Sequence, residues 1–187
     1  MAQCRTLSAG VPKSCKPLVA GTKDELLVID FNDIAAVVPH ATVKKAVTLS
    51  LRTGKKAYSF EGKNNSNVLR SDVSRGKYGV QYKQEVDLLA FGVDNVSIST
   101  VEDLHEGRFV TITENNNGFF EVAGLNAGLQ TTKGSRDSAN KDTGGAPELT
   151  LASEEEVGYP DFFMLFAVDG ITYDYAATKA AVLALAA

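Results

Sequence analysis

Side chains able to do chemistry are few in this chain, and their spacing does not group them. The two histidines, His40 and His105, stand far apart, and neither belongs to an H-E-x-x-H pattern. His105 precedes Glu106, but no second His follows to complete a metal pair. Each is expected to be structural or solvent-exposed. Cys4 and Cys15 have ten residues between them and form no C-x-x-C pair; a single disulfide and two free thiols both remain open. Either thiol acts as a nucleophile only if the fold supplies a base beside it. Glu154, Glu155 and Glu156 hold the carboxylates for acid and base work, although three consecutive acids read more simply as a solvated turn. Gly54-Lys55 lacks both the earlier glycine and the following Ser or Thr of a phosphate-binding loop. Nothing here points to catalysis, and no cofactor or metal is expected.

Charge is more informative than chemistry. The net charge of -4 is too small to imply nucleic-acid binding in bulk, yet its distribution is uneven. Residues 44 to 83 carry ten Lys or Arg against two acids, whereas residues 84 to 122 carry one Arg against eight acids. Residues 148 to 187 carry Lys179 against seven acids. Two arrangements fit. Basic and acidic regions at opposite ends of a subunit would favour head-to-tail contact between copies. Alternatively, antiparallel neighbours cancel the charges locally across a sheet. A basic groove for nucleic acid is a third reading, but aromatic residues do not interleave with the lysines.

The elements that must position these residues are mostly strands. Hydrophobic residues make up 44% of the 187 and charged residues 22%, so a core can form and one domain over 1–187 is the default. Leu26 to Ile29 is an unbroken apolar run, expected as a buried strand within Glu25–Phe31. Asn32 to Val38 is expected as a short helix stopped before Pro39. Val43 to Phe60 alternates on either side of Thr53-Gly54-Lys55 and is expected as a hairpin. Residues 61–77 turn polar and are expected as an arm or long loop. Tyr78 to Leu88 alternates as a long strand with one dry face. A short helix capped by Ser99 or Thr100 is expected to stop at Gly107, in the left-handed geometry glycine tolerates.

Further on, Arg108–Glu114 and Phe119–Ala123 flank Asn115-Asn116-Asn117-Gly118 as a second hairpin. Residues 131–147 form a second polar loop, and Leu149–Ala152 the strand after it. Phe162–Val168 and Ile171–Tyr175 are expected as a third hairpin around Asp169-Gly170. Residues 176–187 have helical spacing and excellent helix propensity, but twelve residues need a partner surface within or beyond the subunit. No run approaches the ~18 apolar residues of a membrane span, and Met1–Ala20 is broken by Arg5, Lys13 and Lys16. A soluble, cytosolically made protein without a membrane anchor is expected.

Segment order then suggests a family. An N-terminal Cys4 and Cys15 precede Asp24-Glu25-Leu26; the turn Thr53 to Tyr58, the strand Val80 to Phe91 and the run Asp103 to Val110 follow. Gly124-Leu125-Asn126-Ala127-Gly128-Leu129 comes next, with Thr143-Gly144-Gly145-Ala146 and Leu149-Thr150-Leu151 behind it. Together these resemble tail-tube-like virion proteins of tailed bacteriophages, in particular those of Bacteroidetes-infecting and crAss-like phages. Residues Asp169 to Ala187 extend beyond the resemblance.

That resemblance implies a mainly β fold, an antiparallel β-sandwich or barrel with one flanking short helix and long inter-subunit loops. It implies a non-enzymatic structural subunit whose copies form rings that stack into a conduit for DNA. Partners would be copies of itself and other tail or head-tail virion proteins, with DNA passing passively, and the location would be the virion after assembly in the bacterial host's cytoplasm. Candidate inter-subunit residues are Lys44, Lys45, Lys55 and Lys56, then Val68, Leu69 and Arg70, and Arg136, Asp137 and Asp142, with the tail from Ala176 as a further contact. The alternatives are a collar, ring or capsid auxiliary protein, or a monomeric ligand-binding β-sandwich.

Overall fold

The computed structural model describes residues 10–11, 18–43, 45–63, 65–76, 79–92, 94–153, 164–168 and 173–186. Cys4, Cys15, Lys44 and Glu154 to Glu156 lie outside the described residues. In chain order the elements are β1 (Thr22–Asp30), a 3-10 turn (Phe31–Asp33), β2 (Ile34–Pro39), β3 (Ala46–Leu51), β4 (Tyr58–Glu61), β5 (Val68–Gly76) and β6 (Gly79–Leu89). There follow α1 (Asn95–Glu106), β7 (Phe109–Asn115), β8 (Phe120–Ala123), β9 (Gln130–Ser135), β10 (Glu148–Ala152), β11 (Met164–Phe166) and α2 (Tyr175–Ala186). The strands make a seven-stranded sheet, β2-β3-β11-β8-β7-β1-β4, and a four-stranded sheet, β5-β6-β10-β9. The fold is mainly β, a sandwich with flanking helices and no closed barrel.

The unbroken apolar run in β1 is explained by burial on both faces. Leu26 and Val28 face the four-stranded sheet and join Val86, Leu88, Leu149 and Leu151 in one core. Leu27 and Ile29 face the opposite way and join Val47, Ile112, Phe166 and Val182 of α2 in a second. A strand covered on one side only would alternate; this one has no wet face to spend on polar residues. The C-terminal helix therefore finds its partner surface within the subunit, and its residues Ala181 and Leu185 pack on the same core.

Several expectations are corrected. Asn32–Val38 is a single 3-10 turn followed by strand: Val37 pairs with Leu49 and Pro39 with Val47. The β-branched residues there gain more from the β3 ladder than from a short isolated helix. β3 and β4 both exist but form no hairpin, since β3 lies between β2 and β11 while β4 borders β1 at the far edge. Only the 3-10 turn separates β1 from β2, although five sheet intervals lie between them. Continuity through that turn holds the Asp30 end of β1 close to the Ile34 end of β2, so the sheet must curl at that corner. The connectors then meet: Asp33 receives the Arg52 amide through its carbonyl at 2.9 Å and the Lys55 ammonium at 3.1 Å.

The polar segment 61–77 is not a loop throughout, because Val68–Gly76 is β5 and pairs with β6 down to Gly76 opposite Gly79. Likewise 131–147 begins as β9, paired with β10, and only 136–147 is loop. Helix α1 starts earlier than expected. Its cap is Asp94, whose carboxylate accepts from the Val96 and Ser97 amides at 3.0 Å each. Gly107 ends α1 at φ -91°, outside the left-handed region; a Cβ there would lie 2.1 Å from the Phe109 ring. The β7–β8 hairpin, β10 and β6 stand where the sequence places them. Of the expected third hairpin, residues 169–172 lie outside the described residues; β11 pairs instead with β8 and, in parallel, with β3, and Tyr175 begins α2.

Candidate functional site

One of the two histidines is taken up by the fold. His40, at the end of β2, is buried, and its Nε2 lies 2.8 Å from the Val168 carbonyl while Nδ1 faces the amides of Val43 at 2.9 Å and Thr42 at 3.2 Å. Amides can only donate, so Nδ1 accepts and Nε2–H donates. The ring fastens the β2–β3 corner to the end of β11. His105 is exposed at the end of α1 and lines an open cleft with Ile98, Glu102, Arg136 and Leu149. That cleft does not include His40. No group of three His, Cys, Asp or Glu with metal-holding geometry occurs among the described residues.

A second polar cluster serves α2. Glu114, buried on β7, accepts from the Tyr175 hydroxyl at 2.9 Å and faces Lys23 and Lys179, both at 3.8 Å. The Tyr175 contact and the Glu114 carboxylate raise the Lys179 pKa above its ordinary value. Burial raises that of Tyr173, whose hydroxyl donates to the Gly118 carbonyl at 3.1 Å. The space beside this cluster is only about 20 Å³, too small for a substrate. We read the cluster as an anchor for the helix.

What remains conspicuous is the ribbon formed by β5 and β6. The β10 ladder covers β6 only from Glu85 to Leu89, while the β5 ladder runs on to Gly79. Beyond Gln84, among the described residues, only β5 pairs with β6. On one side of the ribbon lie Leu69, Val86 and Leu88, which pack into the core. Alternation puts Val73, Arg75, Val80 and Tyr82 on that same side. Tyr82 still packs against the core, but Val73 is 64% exposed and Val80 44% exposed. Among the described residues, that side of the ribbon leaves the core between Tyr82 and Val80.

The predicted contact residues fall in separate places. Val68, Leu69 and Arg70 form the root of the ribbon. Arg70 bridges Asp87 and Glu85 across the strands, which raises its pKa and cancels charge locally; along β6 itself, Lys83 meets Glu85 at 3.7 Å. Here the local arrangement of charge holds. Lys55 is paired with Asp33, whereas Lys45 belongs to the β2–β3 connection and Lys56 to the β3–β4 connection. Arg136, Asp137 and Asp142 belong to the 136–147 loop. Arg136 donates to the Gly145 carbonyl at 3.2 Å, and the Asp137 carboxylate accepts from the Ala139 amide at 2.9 Å.

Sequence reasoning missed a cleft of about 480 Å³ between edge strand β4 and α1, lined by Tyr58, Phe60, Glu61, Phe91, Val96 and Thr100. Tyr58 is 56% exposed and Val96 69% exposed, and Lys63 lies 5.4 Å from the Phe91 ring centre. The available signal was Tyr58 and Phe60 sharing one strand face, but only the distant pairing of β4 with β1 makes that face a wall. The other edge strand, β2, is Ile-Ala-Ala-Val-Val-Pro, uncharged, with Val37 and Val38 exposed.

Comparison with known proteins identifies no relative: no protein-family model, no curated protein and no solved structure matches the chain.

Proposed function

We propose that the protein is a non-enzymatic virion structural subunit of tail-tube type, whose copies join into rings that stack around a channel for DNA. One observation carries the self-assembling part of this reading: the β5–β6 ribbon continues beyond Gln84 with Val73 and Val80 on its core-facing side, and among the described residues both stay exposed. A two-stranded ribbon is marginal by itself, and a second surface would complete it. The uncharged edge of β2 adds support, since a long apolar open edge is a hazard unless another strand covers it. The resemblance in segment order supplies the tail-tube assignment and the virion location.

The test is sedimentation velocity over a wide concentration range, followed by electron microscopy of the concentrated sample. Rings or tubes support the reading. A single-chain species at every concentration contradicts it and favours the rival, a monomeric sandwich binding a ligand in the β4–α1 cleft.

A further inference from the structure

We infer that the outer half of the β5–β6 ribbon of one copy seats in the β4–α1 cleft of a second copy, with Val73 and Val80 entering the cleft beside Phe91 and Val96. This inference rests on the self-assembly reading above and names its contact. β5 is the outer strand of its sheet and β4 the outer strand of the other, so the two can join by strand addition. The faces agree as well. Tyr58 and Phe60 stand opposite Val28 and Leu26, on the side of the seven-stranded sheet that looks toward α1, and together with α1 they wall the cleft. A ribbon extending β4 with its apolar side turned that way would place Val73 and Val80 against Tyr58, Phe91 and Val96.

Charge fits the same orientation. Arg75 lies on the apolar side of the ribbon and is exposed, while Glu61 lines the cleft and Glu102 and Asp103 are exposed on α1, three acids against the one Lys63 beside Phe91. The basic-to-acidic imbalance along the sequence then acts between copies at the ribbon's end, although at its root Arg70 is neutralised within the chain.

The contact must be intermolecular. Leu89 at the root of β6 leads directly into Ala90 and Phe91 of the chain's own cleft. From there to Val80 the strand runs away for nine residues, about 30 Å at ~3.3 Å per residue. Ribbon and cleft are different surfaces, so the association is head-to-tail and propagates into a ring or a filament.

The experiment uses two variants of the full chain, one altered in the ribbon (Val73→Asp with Val80→Asp) and one in the cleft (Tyr58→Asp with Val96→Asp). All four positions are exposed, so circular dichroism should match the unaltered protein. Each variant alone should lose self-association by at least tenfold. An equimolar mixture should give a two-chain species and nothing larger, because the cleft variant retains a working ribbon and the ribbon variant a working cleft. The milder Val73→Ser and Val96→Ser variants should weaken association in the same direction. Assembly of either Asp variant as strongly as the unaltered chain, or a mixture that remains single chains, overturns this contact while leaving self-assembly by another surface intact. An unaltered protein that never associates overturns both.

Discussion

Val73 on β5 stands directly opposite Tyr82 on β6, on one side of the ribbon, yet Tyr82 packs against the core and Val73 is exposed to solvent. The boundary between the folded body and its projection therefore passes between two paired residues. If the ribbon beyond it serves other molecules, its removal should cost the subunit little. Replacing residues 74–81 by a short Asn-Gly turn, which keeps Val73 opposite Tyr82, is expected to leave the thermal midpoint within a few degrees of the unaltered protein while abolishing assembly. Calorimetry and sedimentation check the two halves of this prediction.

The double burial of β1 makes a sharper statement about stability. Leu26 and Leu27 are adjacent in sequence but belong to opposite cores. Leu26→Ala and Leu27→Ala should each cost about 2–5 kcal/mol, the range for deleting a fully buried leucine. Their effects should add to within about 0.5 kcal/mol, as for sites without shared partners, even though neighbours usually couple. Urea denaturation of both single variants and the double variant provides the measurement; a strong coupling would contradict the two-core layout.

Gln84 joins the sheets by a different means. It is buried, and its side-chain oxygen accepts the Gly124 amide at 2.9 Å, tying β6 to the end of β8. Gly124 has φ +90°, and a Cβ there would lie 2.5 Å from the Phe109 carbonyl, so the glycine is required and its amide has few alternatives. Gln84→Met preserves volume but strands that N–H, at an expected cost of about 1–3 kcal/mol. Hydrogen exchange at Gly124 should accelerate in parallel.

Asp94 gives α1 a pH dependence. Its carboxylate pKa lies below the ordinary value because it accepts from the Ser97 amide, the Ser97 hydroxyl and the Val96 amide. A pKa lower in the folded than in the unfolded chain means that the cap's contribution is complete above the ordinary carboxylate range and is lost as pH falls through the depressed value. Asp94→Asn keeps the cap without the titration, so its acid unfolding followed by far-ultraviolet circular dichroism should lose that part of the slope.

How much of this was legible depends on range. Leu26–Ile29, Glu148–Ala152 and the β7–β8 hairpin were readable because a local pattern or an Asn-Asn-Gly turn fixed them. The partner of β4 was not readable, since Thr53-Gly54-Lys55 is good turn chemistry whether or not the strands beside it pair. Residues 68–76 looked like a loop because Arg70, Ser71, Asp72 and Ser74 are polar; their strand is held by nine backbone pairings with β6, a partner that no local pattern in 68–76 announces. The cleft was invisible for the same reason, as its two walls come from residues 58–61 and 90–101 and meet only through the tertiary fold.

The central claim is that this chain is completed by other copies of itself, and sedimentation velocity of the unaltered protein from low to high concentration tests it most directly. The 19.9 kDa species is expected to give way to rings or longer assemblies as concentration rises. A species that stays at one chain throughout would contradict it.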